Sequence, residues 1–179
     1  MGFNEDLALA NNPKVQLDFD IWYRSKFGEK VKIHRFDKNE EAQRIFGTDV
    51  VLILENGIRL SIDEKLRRNK YINFSNWCIE LMSNAREGRK KLGWFYTSLA
   101  HFIVWGQLNE KDNGLFLDKT WMHPVNYAFK KYILEKQFEY PPFQYQGLNL
   151  TTGLLVPKKD IIKYCGENNC YQTTINESD

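Results

Sequence analysis

Apolar and polar positions change period several times along the chain, and each change predicts an element. From Pro13 to about Phe27, apolar Leu17, Ile21 and Trp22 recur at helical spacing, and Gly28 closes the segment. Val31 to Phe36 alternates Val31, Ile33 and Phe36 with Lys32, His34 and Arg35, which predicts a first strand. Asp37 to Phe46 reads as a short helix or turn, capped by Asp37 or Asn39 and closed by Gly47. Two β-branched and aliphatic runs follow, Val50 to Leu54 and Ile58 to Ile62, around Glu55-Asn56-Gly57.

Further on, Leu66 to Lys70 reads as a basic loop and Trp77 to Met82 as a core strand. Ala85 to Leu92 is a charged helix or loop, Thr97 to Gln107 an apolar stretch open to either strand or helix, and Glu110 to Gly114 a turn. Leu115 to Leu117 fits an edge strand. Pro124 to Phe138 has the clearest helical pattern, with Val125, Ala128, Phe129, Tyr132 and Ile133 on one face and lysines on the other, and Pro141-Pro142 breaks it. Leu154 to Val156 fits a late edge strand, and Pro157 to Tyr164 a last helix with proline at its first turn.

The segment Asp49 to Lys65 organises this series. A two-residue turn at Asn56-Gly57 would pair Glu55 with Ile58 and mix Val50, Leu52 and Leu54 with Arg59, Ser61 and Asp63 on one face. A three-residue loop with Gly57 in the left-handed conformation pairs Leu54 with Ile58 instead. Val50, Leu52, Leu54, Ile58, Leu60 and Ile62 then share one apolar face, and Asp49, Val51, Ile53, Arg59, Ser61, Asp63 and Lys65 share the other. Since a slip of one residue flips every side chain, the register that buries one clean face is selected. It sets Asp49 opposite Asp63, with Cβ atoms about 4.5–5.5 Å apart, and puts Lys65 next along the same face. Two carboxylates that close repel unless a cation or a proton lies between them, and a hard divalent cation with oxygen ligands suits them. Alternation turns the Glu64 side chain to the opposite face.

The 179 residues suffice for one domain with a core, and 27% charged against 42% hydrophobic residues fits a globular chain. The organisation expected is a frayed N-terminus over 1–12, a single α/β domain over 13–165 built on a central mixed β-sheet flanked by helices, and a tail over 166–179. A net charge of +2 neither demands nor excludes nucleic acid. No run approaches a membrane span and no signal peptide is visible, so a cytoplasmic protein without a membrane partner is expected. Three cysteines, Cys78, Cys165 and Cys170, are too few for a disulfide framework, and Cys165-x4-Cys170 has no second ligand pair for zinc. His34, His101 and His123 lack metal-ligand spacing. No phosphate-binding glycine loop or serine-nucleophile elbow occurs.

The D-x13-D-x-K pattern of Asp49, Asp63 and Lys65 across a hairpin resembles the PD-(D/E)XK nuclease superfamily. Gln43 six residues before Asp49, Asp63-Glu64-Lys65, then Phe74, Glu80 and Gly93-Trp94 extend the likeness to uncharacterised bacterial and phage members over roughly residues 30 to 106. Gly47-Thr48 stands where the superfamily's name has a proline, and His101 where an aspartate is frequent. The resemblance implies a restriction-endonuclease-like core and Mg²⁺ or Mn²⁺ held by Asp49, Asp63 and the backbone carbonyl of Glu64. It implies Lys65 as the group that orients water or stabilises growing charge, and a phage or host-defence setting. Gln43 and Glu80 are second-tier candidates, Gln43 for positioning water or a phosphate, Glu80 as a further acid or the partner of Lys65. Arg35, Arg67, Arg68, Arg89 and Lys90 are candidate phosphate contacts, with Lys70, Arg86 and Lys91 nearby. Trp77, Trp94, Tyr96 and Trp105 divide between core packing and base stacking.

The function expected is a metal-dependent nuclease acting on DNA. Its rivals are a nucleic-acid-binding or scaffold protein of the same fold without catalysis, and an RNA-directed nuclease using the same residues. Oligomeric state is open, a homodimer included.

Overall fold

The hairpin register decides the architecture. In the computed structural model, which describes residues 9–36, 47–68, 76–83, 91–111, 114–146 and 150–167, strand β2 (Val50–Ile53) runs antiparallel to β3 (Arg59–Arg68), with Val50 facing Ile62 and Leu52 facing Leu60. This is the three-residue loop. Leu54 N–H donates to Ile58 O at 2.8 Å, Gly57 N–H donates to Leu54 O at 2.9 Å, and Gly57 has φ 83°. The Asn56 side chain accepts from Ile58 N–H at 3.1 Å and holds the loop shut. A Cβ at Gly57 would meet nothing within 4 Å, so the cost of replacing this glycine is backbone strain alone. Gly57→Ala is expected to lower stability by roughly 1–2 kcal/mol, read as a shift of the urea midpoint at constant m.

Around the hairpin lies a mixed sheet. Strand β1 (Lys32–Arg35) pairs antiparallel with β2, β5 (Phe102–Lys111) pairs parallel with β3, and β6 (Gly114–Pro124) closes the far edge antiparallel to β5. The order is β1-β2-β3-β5-β6. The sheet is buried on both sides. Helix α1 (Pro13–Phe27) covers one face, where Val15, Phe19, Trp22 and Tyr23 pack with Val50, Leu52, Ile62 and Val104. The other face carries Ile103 and Trp105, which pack with Trp77, Phe95, Phe129 and Tyr164.

The helix at Pro13–Phe27 forms as expected, capped by the Asn12 side chain and ended by Gly28, but of the expected apolar positions only Trp22 is buried. Leu17 and Ile21 are each 57% exposed. Both stripes have helical spacing. The one that wins sinks Phe19, Trp22 and Tyr23, whose rings remove far more area from water than two aliphatic side chains.

The larger departure is a second sheet. Strand β4 (Asn76–Met82), β7 (Pro142–Gln146) and β8 (Leu150–Pro157) form an antiparallel sheet in the order β4-β8-β7. Trp77–Met82 is therefore a core strand of this second layer, and β8 is its central strand rather than an edge. The second layer also contributes helices α3 (Tyr127–Glu135) and α4 (Lys158–Glu167). Helix α3 starts later than the sequence pattern indicates, because Pro124 ends β6 and the Asn126 side chain caps from Phe129 N–H at 2.9 Å. Between the layers runs a single helical turn, α2 (Trp94–Thr97). Leu66 to Arg68 belong to β3 and not to a loop, held by parallel pairing with Gly106, Gln107 and Leu108. Leu115 to Leu117 lie within β6, an 11-residue edge strand. Among the described residues, no helix is long and apolar enough to cross a membrane.

Candidate active site

The β2–β3 ladder ends at the Val50–Ile62 pair, so Asp49 is not a ladder partner of Asp63 as the alternation predicts, but its carboxyl lies beside that of Asp63 at the open end of the hairpin. Two hydrogen bonds place Asp49 just past the ladder. Asp49 N–H donates to Ile62 O at 2.8 Å, and Glu64 N–H donates to Asp49 Oδ2 at 2.7 Å. Asp63 is only 3% exposed. Its Oδ1 takes the Lys65 ammonium at 2.6 Å, and its Oδ2 is buried with no hydrogen-bond donor. Asp63 and Lys65 share a face because they are two residues apart on one strand. That face is the one the second layer covers.

Two groups of the second layer complete the cluster. Lys65 Nζ lies 5.7 Å from the centroid of the Trp94 ring, a cation–π distance. Glu80, beside a bulge in β4, accepts from the backbone N–H of Trp94 and acts electrostatically on Lys65. The strand–turn contact is so close that a Cβ at Gly93 would lie 2.4 Å from Glu80 O, which explains glycine there. Asp49, Asp63, Lys65 and Glu80 are thus four candidates that the fold brings together.

Their protonation is tuned by that burial. Burial pushes the Asp63 carboxyl up to about 7, with Lys65 pulling it back and Asp49 pushing it further up. Burial opposes the Lys65 ammonium, yet Asp63, Asp49 and Glu80 together hold it above its ordinary value. Burial also raises Glu80 above the usual carboxylate range, against the pull of Lys65 and of the Trp94 N–H. A cationic lysine therefore sits among three carboxyl groups, two of them, Asp63 and Glu80, made reluctant to ionise by burial.

On the opposite face, Glu64 accepts from Tyr23 Oη at 2.8 Å and from Arg35 Nη1 at 2.9 Å, and Arg35 is held in turn by Asp20 at 2.6 Å. Arg35 is an internal ion-pair residue, which accounts for its charge without a phosphate. Tyr23 and Asp20 carry no local sequence signal for this clamp; only the packing of α1 onto the hairpin creates it. The clamp fixes Glu64, whose N–H orients Asp49. In a strand the carbonyl leaves on the same edge as the N–H, so Glu64 O also points toward the end of β2.

Gln43, Arg89 and Lys90, with Lys70, Arg86 and Phe74, lie outside the described residues, as do the side chains of Arg67 and Arg68. Trp77 and Trp105 are core, 4.5 Å apart between ring centroids, while Trp94 is half-buried and Tyr96 exposed. His101 Nδ1 accepts from Ser61 N–H at 2.9 Å, so it ties β3 to the start of β5. His123 is buried, accepts from Trp105 Nε1 at 3.0 Å, and is held down at about 4 by burial.

Among the described residues, no three His, Cys, Asp or Glu side chains are grouped to hold a metal. The donor set present is two hard carboxylates, one with an unsatisfied buried oxygen, and a backbone carbonyl on the same edge. That set suits Mg²⁺ or Mn²⁺, which keep several waters and bind through one or two carboxylates plus substrate phosphate. It does not suit structural zinc. Comparison with known proteins adds no identification: no family model, no curated protein and no solved structure matches the chain at a significant level.

Proposed function

We propose that this protein is a metal-dependent nuclease with a restriction-endonuclease-like core, similar to the PD-(D/E)XK enzymes, that hydrolyses phosphodiester bonds in DNA. One observation carries the reading. A buried aspartate, beside a second aspartate whose carboxylate is held by the Glu64 N–H, keeps one oxygen without a donor while a lysine holds the other. A structural salt bridge needs one carboxylate per cation, and it gives no reason to set a second, half-buried carboxylate beside the first.

In this reading Asp49 and Asp63, with Glu64 O, would hold Mg²⁺ or Mn²⁺. A bound ion supplies Lewis-acid polarisation of the phosphodiester and lowers the pKa of attacking water. The chain's own residues do the rest. Lys65, pinned between Asp63 and the Trp94 face, presents N–H groups to the negative charge that grows on the phosphate oxygens. Glu80 keeps that ammonium charged and aimed. The Arg35–Glu64–Tyr23 clamp holds the backbone that orients Asp49. Closure of the second layer over this face limits water around Lys65, which strengthens each of these interactions.

The test is incubation of the purified protein with labelled linear, circular and branched DNA, and with RNA, in Mg²⁺, Mn²⁺ or EDTA. Metal-dependent cleavage of DNA is expected. Cleavage of RNA alone would move the substrate to RNA with the same residues. Absence of cleavage on every substrate would return the cluster to a binding or scaffold role.

A further inference from the structure

Helical turn α2 borders the acidic cluster at both of its ends. Gly93 is pressed on Glu80 and Trp94 stands over Lys65, while Ser98 Oγ donates at 3.3 Å to the carbonyl of Gly47, two residues ahead of Asp49. Tyr96, two residues after Trp94, projects on the other side of the same turn. There it meets helix α3 across an open depression of about 510 Å³, lined by Tyr96, Tyr127, Lys130, Lys131 and Leu134 among others. The volume lies within the roughly 300–1,000 Å³ of small-molecule pockets.

The depression is both apolar and built. Tyr96 is 40% and Tyr127 81% exposed, so two large rings face solvent where a core-forming sequence would bury them. Tyr96 packs edge-on against buried Phe95, with 5.3 Å between ring centroids. Tyr127 is fixed as the first residue of a helix capped by Asn126. Lys130 Nζ donates to Ser98 O at 2.8 Å, which locks α3 to α2 and sets the distance between the walls. Lys131 lies exposed on the rim, in only a loose pair with Glu135 at 3.7 Å. Glu135 also lines the depression and Lys130 is taken up by backbone carbonyls, so the rings carry the recognition of a flat, π-faced ligand and Lys131 is the rim cation left for its phosphate.

We propose that this depression takes an unpaired nucleobase of the strand whose phosphate lies at the acidic pair, stacked on Tyr96 and Tyr127. The position of the strand rests on the nuclease reading; the binding of the base does not. The protein would therefore favour single-stranded or locally opened substrates over continuous duplex, because a stacked base has to leave its partner first.

The probe is a fluorescein-labelled single-stranded oligothymidylate, titrated in EDTA so that no cleavage is required, beside the same backbone with abasic sites. Tyr96→Ala and Tyr127→Ala are expected to bind oligothymidylate about 5- to 150-fold more weakly, the usual range for loss of one stacking partner. Tyr96→Phe and Tyr127→Phe should bind like wild type, and all five proteins should bind the abasic strand alike. Tyr127 is largely exposed, so its removal should leave the melting temperature unchanged, while Tyr96→Ala gives up its packing on Phe95 and is compared with wild type well below its own melting temperature. Alanine variants that bind oligothymidylate as wild type does would overturn the proposal, and so would equal losses on the abasic strand or no wild-type binding at all. Intact, tyrosine-dependent binding without metal-dependent cleavage would instead remove the nuclease reading and leave the base site standing.

Discussion

Asp49→Asn and Asp63→Asn are expected to abolish metal binding and cleavage together, whereas Lys65→Ala should separate the two. Asparagine keeps the shape of the side chain but removes the charge a hard cation requires. In Asp63→Asn the buried oxygen that lacks a donor becomes part of a neutral amide, a poor ligand for Mg²⁺. Lys65→Ala leaves both carboxylates in place. It also removes the ammonium that draws the Asp63 carboxyl down, so a proton competes harder with the metal, and binding should be measured at about pH 8.5 where that competition is weakest. Under that condition Mn²⁺ binding by calorimetry should persist. The rate should fall about 10²–10³-fold, the usual effect of losing one charge-stabilising donor. Glu80→Gln should cost less, since it acts on the phosphate only through Lys65. An Asp63→Asn protein that still cuts DNA in Mg²⁺ would falsify the assignment.

What the sequence made legible was the hairpin, because two strong local constraints agree there. Six apolar residues demand one face, and Glu55-Asn56-Gly57 supplies a loop of matching length. Once the register is fixed, the positions of Asp63 and Lys65 follow from alternation, whereas Asp49 lies past the last pair and is placed by its bonds to Ile62 O and the Glu64 N–H. The second sheet was hidden for the opposite reason. Strand β4 pairs with β8, far along the chain, and nothing in Trp77–Met82 itself distinguishes that partner from β3. Strand β7 begins at Pro142, and its proline reads as a break. Leu66 to Arg68 look like a basic loop by composition, yet β5 offers them a ladder of parallel partners and the strand runs on. Arg35 read as a surface cation because its two acidic partners come from α1 and from β3, distant in sequence and adjacent only after folding. Glu80 shows the same limit from the other side: its place in the cluster depends on how the second layer closes over the first.

The metal-free protein should show the cluster in its pH dependence. Asp63 has a folded-state pKa pushed up to about 7, against about 3.9 for an unfolded chain. Between those values the folded state holds a proton that the unfolded state has lost. The stability this proton provides is complete below the unfolded pKa and drains away as pH rises to the folded one. Asparagine mimics the protonated carboxyl at every pH and has nothing to lose. Asp63→Asn in EDTA should therefore gain on wild type between about pH 5 and pH 8, by on the order of 2–3 kcal/mol from two units of pH. Subtracting one protein from the other removes the opposing contribution of His123, whose folded pKa is lowered to about 4 and which costs both proteins stability as pH falls from about 6.5. Urea midpoints of the two proteins at each pH give the comparison. If Asp63 existed to anchor Lys65, its ionised form would be the stabilised one, its folded pKa would lie below 3.9, and no gain would appear over this window. Adding Mn²⁺ should reverse the wild-type trend, because the ion binds the ionised pair and its stabilisation grows as the proton leaves. The Asn variant should not respond. A wild type whose stability climbs with pH in EDTA relative to Asp63→Asn would mark the pair as an ordinary salt bridge.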